Sequence, residues 1–373
     1  MYLLLKKLKR YFNKISYYIP KVIVITLIVV VFLIFVRIIL PVYRYSSAQN
    51  ITPQFIYNLM LDKEEIIKNT QGRTDIALLG ISGGSHEGSD LTDSIIYISI
   101  DYHKKDAVIL SIPRDLWIPG LKAKINSAYH YGEEKKQGGG LILVKSAISE
   151  VVGRQIHYSA LIDFSGLKKI VDLIGGIDVE VEESFKDDKY PIEGRENDNC
   201  AGDPSLSCRY EKLHFEKGWQ HMDGEMVLKY VRSRYSSSDE GTDFARSKRQ
   251  QKVILSIKNK ILQFPYYKNL TLLKNLFSAL NKTVITDMNL AEKITLVKFF
   301  LSLNSNNMRH LSLETGNNTR EQTAITKNYG FLVNPPLWKY DNVWMLEPRT
   351  GNFKEIQEYI SCQISNTDCK ISP

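Results

Sequence analysis

The chain lacks the short signatures that announce most hydrolases. Its 373 residues contain no His-Glu-x-x-His and no Gly-x-Ser-x-Gly, and none of the four cysteines is placed as a nucleophile, so protease and esterase chemistry has little support. A glycine-rich loop, Gly80-Ile-Ser-Gly-Gly-Ser-His-Glu-Gly88, follows an apolar run. It has neither the Gly-Lys-Ser/Thr of a phosphate loop nor the ordered glycines of a dinucleotide fingerprint. There is no internal repeat. The folded part also lacks a strong excess of one charge. The formal net charge of +8 is partly an N-terminal effect of Lys6, Lys7, Lys9, Arg10, Lys14 and Lys21. The mildly basic remainder argues against nucleic acid as a partner.

What is present is the composition of a globular protein, 43% hydrophobic and 24% charged, and the length suffices for one large domain or two ordinary ones. The six N-terminal cations precede an apolar run at 22–40, close to the ~20 residues a membrane-spanning helix needs. Arg37, near its far end, can snorkel to the interface. No small-residue cleavage site follows Leu40, and a core helix is rarely apolar on every face, so a retained single-pass anchor is expected. The cations place the N-terminus in the cytoplasm and everything beyond Leu40 outside. In that compartment Cys200 with Cys208, and Cys362 with Cys369, read as two local disulfides. Four cysteines permit three pairings. The spacings are not Cys-x2-Cys and no histidine lies inside either pair, which disfavours zinc.

The periodicities divide the chain into a cytoplasmic basic tail (1–21), the span (22–40), a polar juxtamembrane stalk with helical character (41–71), a main domain (72–305) and an extension packing on its core (306–373). Short apolar runs at 76–81, 94–100 and 107–112 read as strands, the last two joined tightly enough for a hairpin. Helical spacing follows at Leu141, Val144, Ile148 and Val151, then a strand at 157–162, a helix ending at Gly175-Gly176 and a strand at 177–181. Residues 187–210 are polar and read as a loop insertion. A short helix at 223–231, helical patterns from 270 to 303, a strand at 343–346 and a helix at 353–360 close the chain. Hairpin and crossover connections together predict an α/β (α+β) fold, with a mixed central sheet sandwiched by helices.

The chemistry concentrates in residues 230–250, where Arg232, Arg234, Arg246 and Arg249 surround a Ser/Gly loop. On a helix opening near Thr242, Arg246, Gln250, Val253 and Ile257 share one stripe, apolar at its far end, so the polar end is expected to face inward. Buried guanidiniums must be paired, and their fork fits phosphate in a bidentate way, so a phosphate-bearing ligand is the first hypothesis. Asp90 and Asp93 open a strand, where a carboxylate could hold a hard cation or simply cap a turn. Arg114 sits just past a strand end, a position that commonly faces a cleft.

Several ordered segments together resemble the LytR-CpsA-Psr family over roughly residues 72–305. They are Leu91-Thr-Asp-Ser94, Ser111-Ile-Pro-Arg-Asp115, Lys124-Ile-Asn-Ser-Ala-Tyr129, Asp163-Phe-Ser-Gly-Leu-Lys-Lys-Ile-Val-Asp172 with Gly175-Gly176, Met222-Asp-Gly-Glu-Met-Val-Leu-Lys-Tyr-Val-Arg-Ser-Arg234 and Asp243-Phe-Ala-Arg-Ser-Lys-Arg-Gln250. The resemblance implies a phosphotransferase of the bacterial envelope that moves a glycopolymer from a polyprenyl-pyrophosphate carrier to peptidoglycan. It implies an apolar tunnel for the lipid tail, with the pyrophosphate at its mouth. By motif, Asp93 would hold Mg2+ (or Mn2+), Asp90 being a second candidate. Arg114, Arg232, Arg234, Arg246 and Gln250 would hold the phosphates, and Asp93, Arg114 and Arg246 would be catalytic. Two positions depart from the family's pattern. Ser82 stands where an Asp is usual and Leu91 where an Arg is usual, with His86 or Asp90 as candidate substitutes. The departures motivate an alternative, a non-catalytic polyprenyl-pyrophosphate-binding envelope or regulatory module.

The charge asymmetry around residues 22–40 is directly testable. A reporter enzyme fused after Pro373 is expected to be active only in its extracytoplasmic form, and activity of a cytoplasm-dependent reporter would overturn both the orientation and the disulfide reading.

Overall fold

A computed structural model describes residues 51–60, 67–84, 88–195, 197–236, 239–263, 270–315, 330–365 and 369, with isolated positions between 32 and 44. The basic tail, nearly all of the span at 22–40, and His86 lie outside the described residues. No helix among the described residues is long and apolar enough to cross a membrane. The chain falls into two units, 1–66 with 289–295, and 67–288 with 296–373.

In the first unit, helix α1 (Pro53–Met60) begins where the Thr52 hydroxyl accepts the Phe55 amide at 3.0 Å. Its other segment is held by a reciprocal cap: Asn289 accepts from the Glu292 amide at 2.9 Å, and Glu292 accepts from the Asn289 amide at 2.8 Å.

The second unit carries the strands β1 (Arg73–Ile81), β2 (Thr92–Asp101), β3 (Asp106–Ser111), β4 (Trp117–Ile118), β5 (Ala123–Lys124), β6 (Tyr158–Asp163), β7 (Ile177–Val181), β8 (Phe185–Pro191), β9 (Tyr210–Phe215), β10 (Gly218–Met222), β11 (Val284–Thr286), β12 (Met308–Ser312), β13 (Leu332–Val333) and β14 (Glu347–Pro348). The helices beyond α1 are α2 (Ala128–Lys135), α3 (Gly139–Val152), α4 (Phe164–Leu173), α5 (Gly224–Arg232), α6 (Asp243–Gln263), α7 (Leu270–Thr283), α8 (Leu290–Ser302) and α9 (Lys354–Ser365). Six strands form the central sheet in the order β11-β6-β1-β2-β3-β12. β1, β2 and β3 are antiparallel neighbours, the last two joined by a tight turn, whereas the crossover through α3 returns β6 parallel to β1.

Strand alternation sorts the core. Ala77, Leu79 and Ile81 of β1 pack with Val144, Ile148 and Val151 of α3 and with Ile356 and Ile360 of α9. Ile76 and Leu78, one residue out of phase, join the cluster holding Ile254 of α6 and Phe299 of α8. The mixed sheet is therefore covered on both faces, as the sequence predicts. A third cluster, built from α4, α5, α6 and strands β7 to β10, forms beside the sheet.

Three expectations need correction. Only residues 192–209 of the supposed loop insertion lie between strands, because β8 and β9 pair antiparallel around them. The alternation was hidden because Asp187, a charged residue, takes an inward position between Phe185 and Tyr190. The helical pattern at 270–303 is interrupted by β11, where Val284, Ile285 and Thr286 supply β-branched side chains that favour a strand. The strand expected at 343–346 is displaced to Glu347–Pro348, and Leu346 makes only an isolated bridge to Leu116. In addition, β12 lies beyond residue 305 yet pairs with β3, so a boundary there separates a strand from its own sheet. Both local disulfides form, Cys200 to Cys208 and Cys362 to Cys369.

One buried polar network ties β1 to the segment before β6. Asp75 is fully buried and accepts from Tyr97 at 2.6 Å and from Arg154 Nη2 at 3.1 Å. Its amide donates to His157 Nδ1 at 2.9 Å, and His157 Nε2 lies 2.8 Å from the Thr70 hydroxyl. With Nδ1 accepting, the ring proton belongs on Nε2 and the imidazole is neutral. Burial, helped by the Arg154 and Lys68 charges, holds the His157 pKa below its ordinary value against the opposing pull of Asp75. The depressed folded value means that this contribution is present above pH 6.5, the unfolded value, and is lost as pH falls through the folded pKa. Thermal melts are expected to show the midpoint declining as pH drops below about 6.5, with a shallower decline in His157→Gln.

Candidate functional site

The site residues converge because of how the sheet ends meet. β1 runs out at Ile81, β2 starts opposite it at Thr92, β3 ends nearby at Ser111, and β6 ends at Asp163, which is paired with Ile81. The residues just beyond, Ser82, Asp93, Arg114 and Phe164, therefore share one end of the sheet and line one cavity of about 270 Å³. Asp93 occupies a special position. The register steps from Gly80 opposite Ser94 to Ile81 opposite Thr92, so Asp93 is the extra residue of a β-bulge. Bulges re-aim side chains beside sites, and here Gly80 permits the close pairing: a Cβ on it would sit 3.1 Å from the Ser94 Cβ. The buried Thr92 hydroxyl, donating to the Asn126 carbonyl at 3.2 Å, pins the bulge from one side.

The opposite wall comes from α5, the turn after it, and α6. Asp223 caps α5 by accepting the Met226 amide at 2.8 Å, and Asp172 of α4 accepts the Gly224 amide at 2.7 Å. Only glycine fits there, since a Cβ would lie 2.3 Å from the Lys168 carbonyl oxygen. This close approach sets α5 against α4 and delivers Arg232 to the cavity. The Arg232 guanidinium lies over the Phe164 ring at 4.7 Å and near the Tyr190 ring at 5.7 Å, so its head group is held by two aromatic faces. On α6 the predicted stripe holds. Arg246 and Val253 are buried, Gln250 is half-buried, and Arg246 and Gln250 both line the cavity.

Asp93 is the hub of the charges. Its Oδ1 accepts from Arg114 Nη1 at 2.5 Å and from Arg234 Nη2 at 3.1 Å. Burial by itself would raise the carboxyl, but Arg234 and Arg114 outweigh it and hold Asp93 below the ordinary carboxylate range. Of the residues singled out from sequence, Asp93, Arg114, Arg232, Arg234, Arg246 and Gln250 are brought together, and the departures Ser82 and Leu91 line the same cavity. Asp90 is not among the lining residues. Its carboxylate faces His130 Nδ1 at 2.7 Å, and that hydrogen bond raises the imidazole pKa.

Arg249 separates from the other three arginines of its stretch. It donates to the Tyr230 carbonyl at 2.9 Å, to the Ser233 carbonyl at 2.7 Å and to Glu240 at 2.7 Å, all away from the cavity. It thereby satisfies carbonyls at the end of α5 that the helix leaves open, and locks that end to α6. Sequence reasoning missed Asp187 altogether. Fully buried, Asp187 accepts from the Ser233 hydroxyl at 2.7 Å, the Arg234 amide at 2.9 Å, the Tyr235 amide at 3.2 Å and the Lys189 amide at 3.0 Å. Phe185, Asp187 and Tyr190 all face inward, but the register shift between Asp187 and Tyr190 breaks the alternation that would have signalled it.

With this geometry in place, likeness to known proteins becomes informative. The LytR_cpsA_psr family model matches residues 42–333. The chain belongs to that family. Among curated relatives in the LytR_cpsA_psr group, polyisoprenyl-teichoic acid–peptidoglycan teichoic acid transferase TagU of Bacillus cereus is 28% identical over 253 residues, 65% of this chain and 71% of that protein. Regulatory protein MsrR of Staphylococcus aureus is 29% identical over 203 residues, about half of each chain at 53% and 52%. The crystal structure of Bacillus subtilis TagV superimposes with a TM-score of 0.54 at 22% identity, covering 81% of this chain and all of that one, which supports the fold.

The Asp187 knot generates a prediction. Asp187→Ala strands the buried Ser233 hydroxyl and three partly buried backbone amides, and urea denaturation is expected to show a loss of roughly 2–3 kcal/mol. Asp187→Asn, which keeps one accepting oxygen, is expected to lose clearly less.

Proposed function

We propose that this protein is a membrane-anchored, extracytoplasmic phosphotransferase that moves a glycopolymer from a polyprenyl-pyrophosphate carrier to peptidoglycan. The observation that carries the reading is the gathering of Arg114, Arg232, Arg234 and Arg246 on one cavity whose other charges are only Asp93 and Asp187 among the described lining residues. Such a surplus of guanidinium suits a diphosphate, and the transfer named for TagU supplies the substrate class. Anchoring through residues 22–40 would hold the cavity near the lipid carrier.

Phosphoryl transfer asks mainly for positioning and charge neutralisation. An acceptor hydroxyl oxygen bonds to the sugar-bearing phosphorus, the P–O–P bridge breaks, and polyprenyl monophosphate departs with the bridging oxygen, its phosphate taking up the hydroxyl proton. Arg232 and Arg246 neutralise the phosphates that this step redistributes, and Gln250 adds a neutral donor beside Arg246. Asp93 is a weak proton acceptor because two arginines depress its pKa, so its part is to organise charge rather than to take the hydroxyl proton. Magnesium binds proteins through one or two carboxylates plus substrate phosphates, and the Asp93 carboxylate with the Ser82 hydroxyl on the same cavity fits that need. When bound, Mg2+ (or Mn2+) would supply further neutralisation of the diphosphate.

A second reading, lipid pyrophosphate binding without transfer, is favoured by Ser82 and Leu91, since the family's usual Asp and Arg are both missing from the cavity wall. Variants separate the two. Arg232→Ala or Arg246→Ala is expected to weaken binding of polyprenyl pyrophosphate ten- to a hundredfold. Asp93→Ala removes the shared partner of Arg114 and Arg234 and leaves Arg114 with Asp115 at 3.4 Å, so binding is expected to persist while chelator-sensitive transfer of labelled glycopolymer falls about a hundredfold. Tight binding by the wild-type protein with no transfer to any acceptor would leave the binding module standing.

A further inference from the structure

Beyond the phosphate-holding groups, the cavity carries an aromatic side chain with no assigned task. Tyr235 follows Arg234 directly and lines the cavity, yet it is 57% exposed. The other aromatic residues lining it among the described residues, Phe164 and Tyr190, are already stacked against Arg232. The Tyr235 backbone is firmly set. Its amide donates to Asp187 at 3.2 Å, and the next residue, Ser236, forms an antiparallel bridge with the same Asp187. Pro191, at the end of β8, adds a second exposed apolar surface to the same cavity.

We propose that Tyr235 is the sugar platform of this cavity, stacking on the first sugar attached to the pyrophosphate and so selecting among glycopolymer carriers. The inference rests on the pyrophosphate reading above and deepens it. A diphosphate is matched by guanidiniums, but the sugar beside it is uncharged and presents polarised C–H groups. Those suit the electron-rich face of an aromatic ring. Tyr235 lines the same cavity as Arg234, Arg232 and Arg246, within reach of the group that adjoins a bound diphosphate. A platform whose backbone is fixed on both sides loses little freedom on binding, which is the condition under which a single stacking contact yields affinity.

The test compares two probes on full-length protein in detergent: polyprenyl pyrophosphate alone, and the same lipid bearing a single N-acetylhexosamine. Wild-type protein is expected to bind the glycosylated lipid more tightly. Tyr235→Ala is expected to weaken binding of the glycosylated lipid three- to tenfold while leaving the sugar-free lipid unaffected, and Tyr235→Trp is expected to keep the preference. Equal losses for both lipids, or no loss for either, would overturn the platform while leaving the pyrophosphate reading intact. Failure of wild-type protein to bind either lipid overturns the pyrophosphate reading and this inference with it.

Discussion

Four guanidiniums held around one cavity repel each other, and the architecture of this region is best understood as the means of holding them there. Two groups absorb most of that burden. Asp93 sits between Arg114 and Arg234, and the fully buried Asp187 gathers the backbone of Ser233 to Tyr235. Arg249, which looked from its position like another ligand-binding arginine, serves the same end differently. Its fork closes the end of α5 and joins it to Glu240, so Arg232 and Arg246 keep a fixed relation. Arg249, buried and fully hydrogen-bonded, braces its surroundings, whereas Arg246, equally buried, lines the cavity.

The sheet contributes direction. Antiparallel β1 and β2 bring a strand end and a strand start to one edge, and the bulge at Asp93 turns a side chain that regular alternation would have placed elsewhere. The parallel return of β6 adds Asp163, whose carboxylate accepts the Gly166 amide at 2.6 Å and starts α4 with Phe164 in its first position. Phe164 then meets Arg232 from the facing wall. A fold of mixed strand directions thus assembles a site from five separate stretches of chain.

Membership of the LytR_cpsA_psr family fits this arrangement, and the departures from its pattern fall on the same cavity. Ser82 keeps a hydroxyl where a carboxylate is usual, and Leu91 removes a cation. The two losses offset each other in charge, so the surplus of arginine over carboxylate that suits a diphosphate is retained.

The sequence by itself determined the sheet strands of the first half, the inward stripe of α6 and most of the charged residues that line the cavity, because these follow from local periodicity and from what guanidinium chemistry requires. Short apolar runs at 76–81 and 94–100, and three- and four-residue spacing from Arg246 to Ile257, are readable without partners. The family motifs did the same for Asp93 and Arg114. Only the tertiary structure decided the rest. Pairing of β8 with β9 spans a polar loop, and the assignment of Asp187 to a buried post depends on donors 46 to 48 residues away in the chain. The opposite fates of Arg246 and Arg249, three residues apart on one helix, also depend on which neighbours each face meets. Local sequence sets which side chains share a face, but a charge becomes a brace or a binding group through partners that only folding brings within hydrogen-bonding distance.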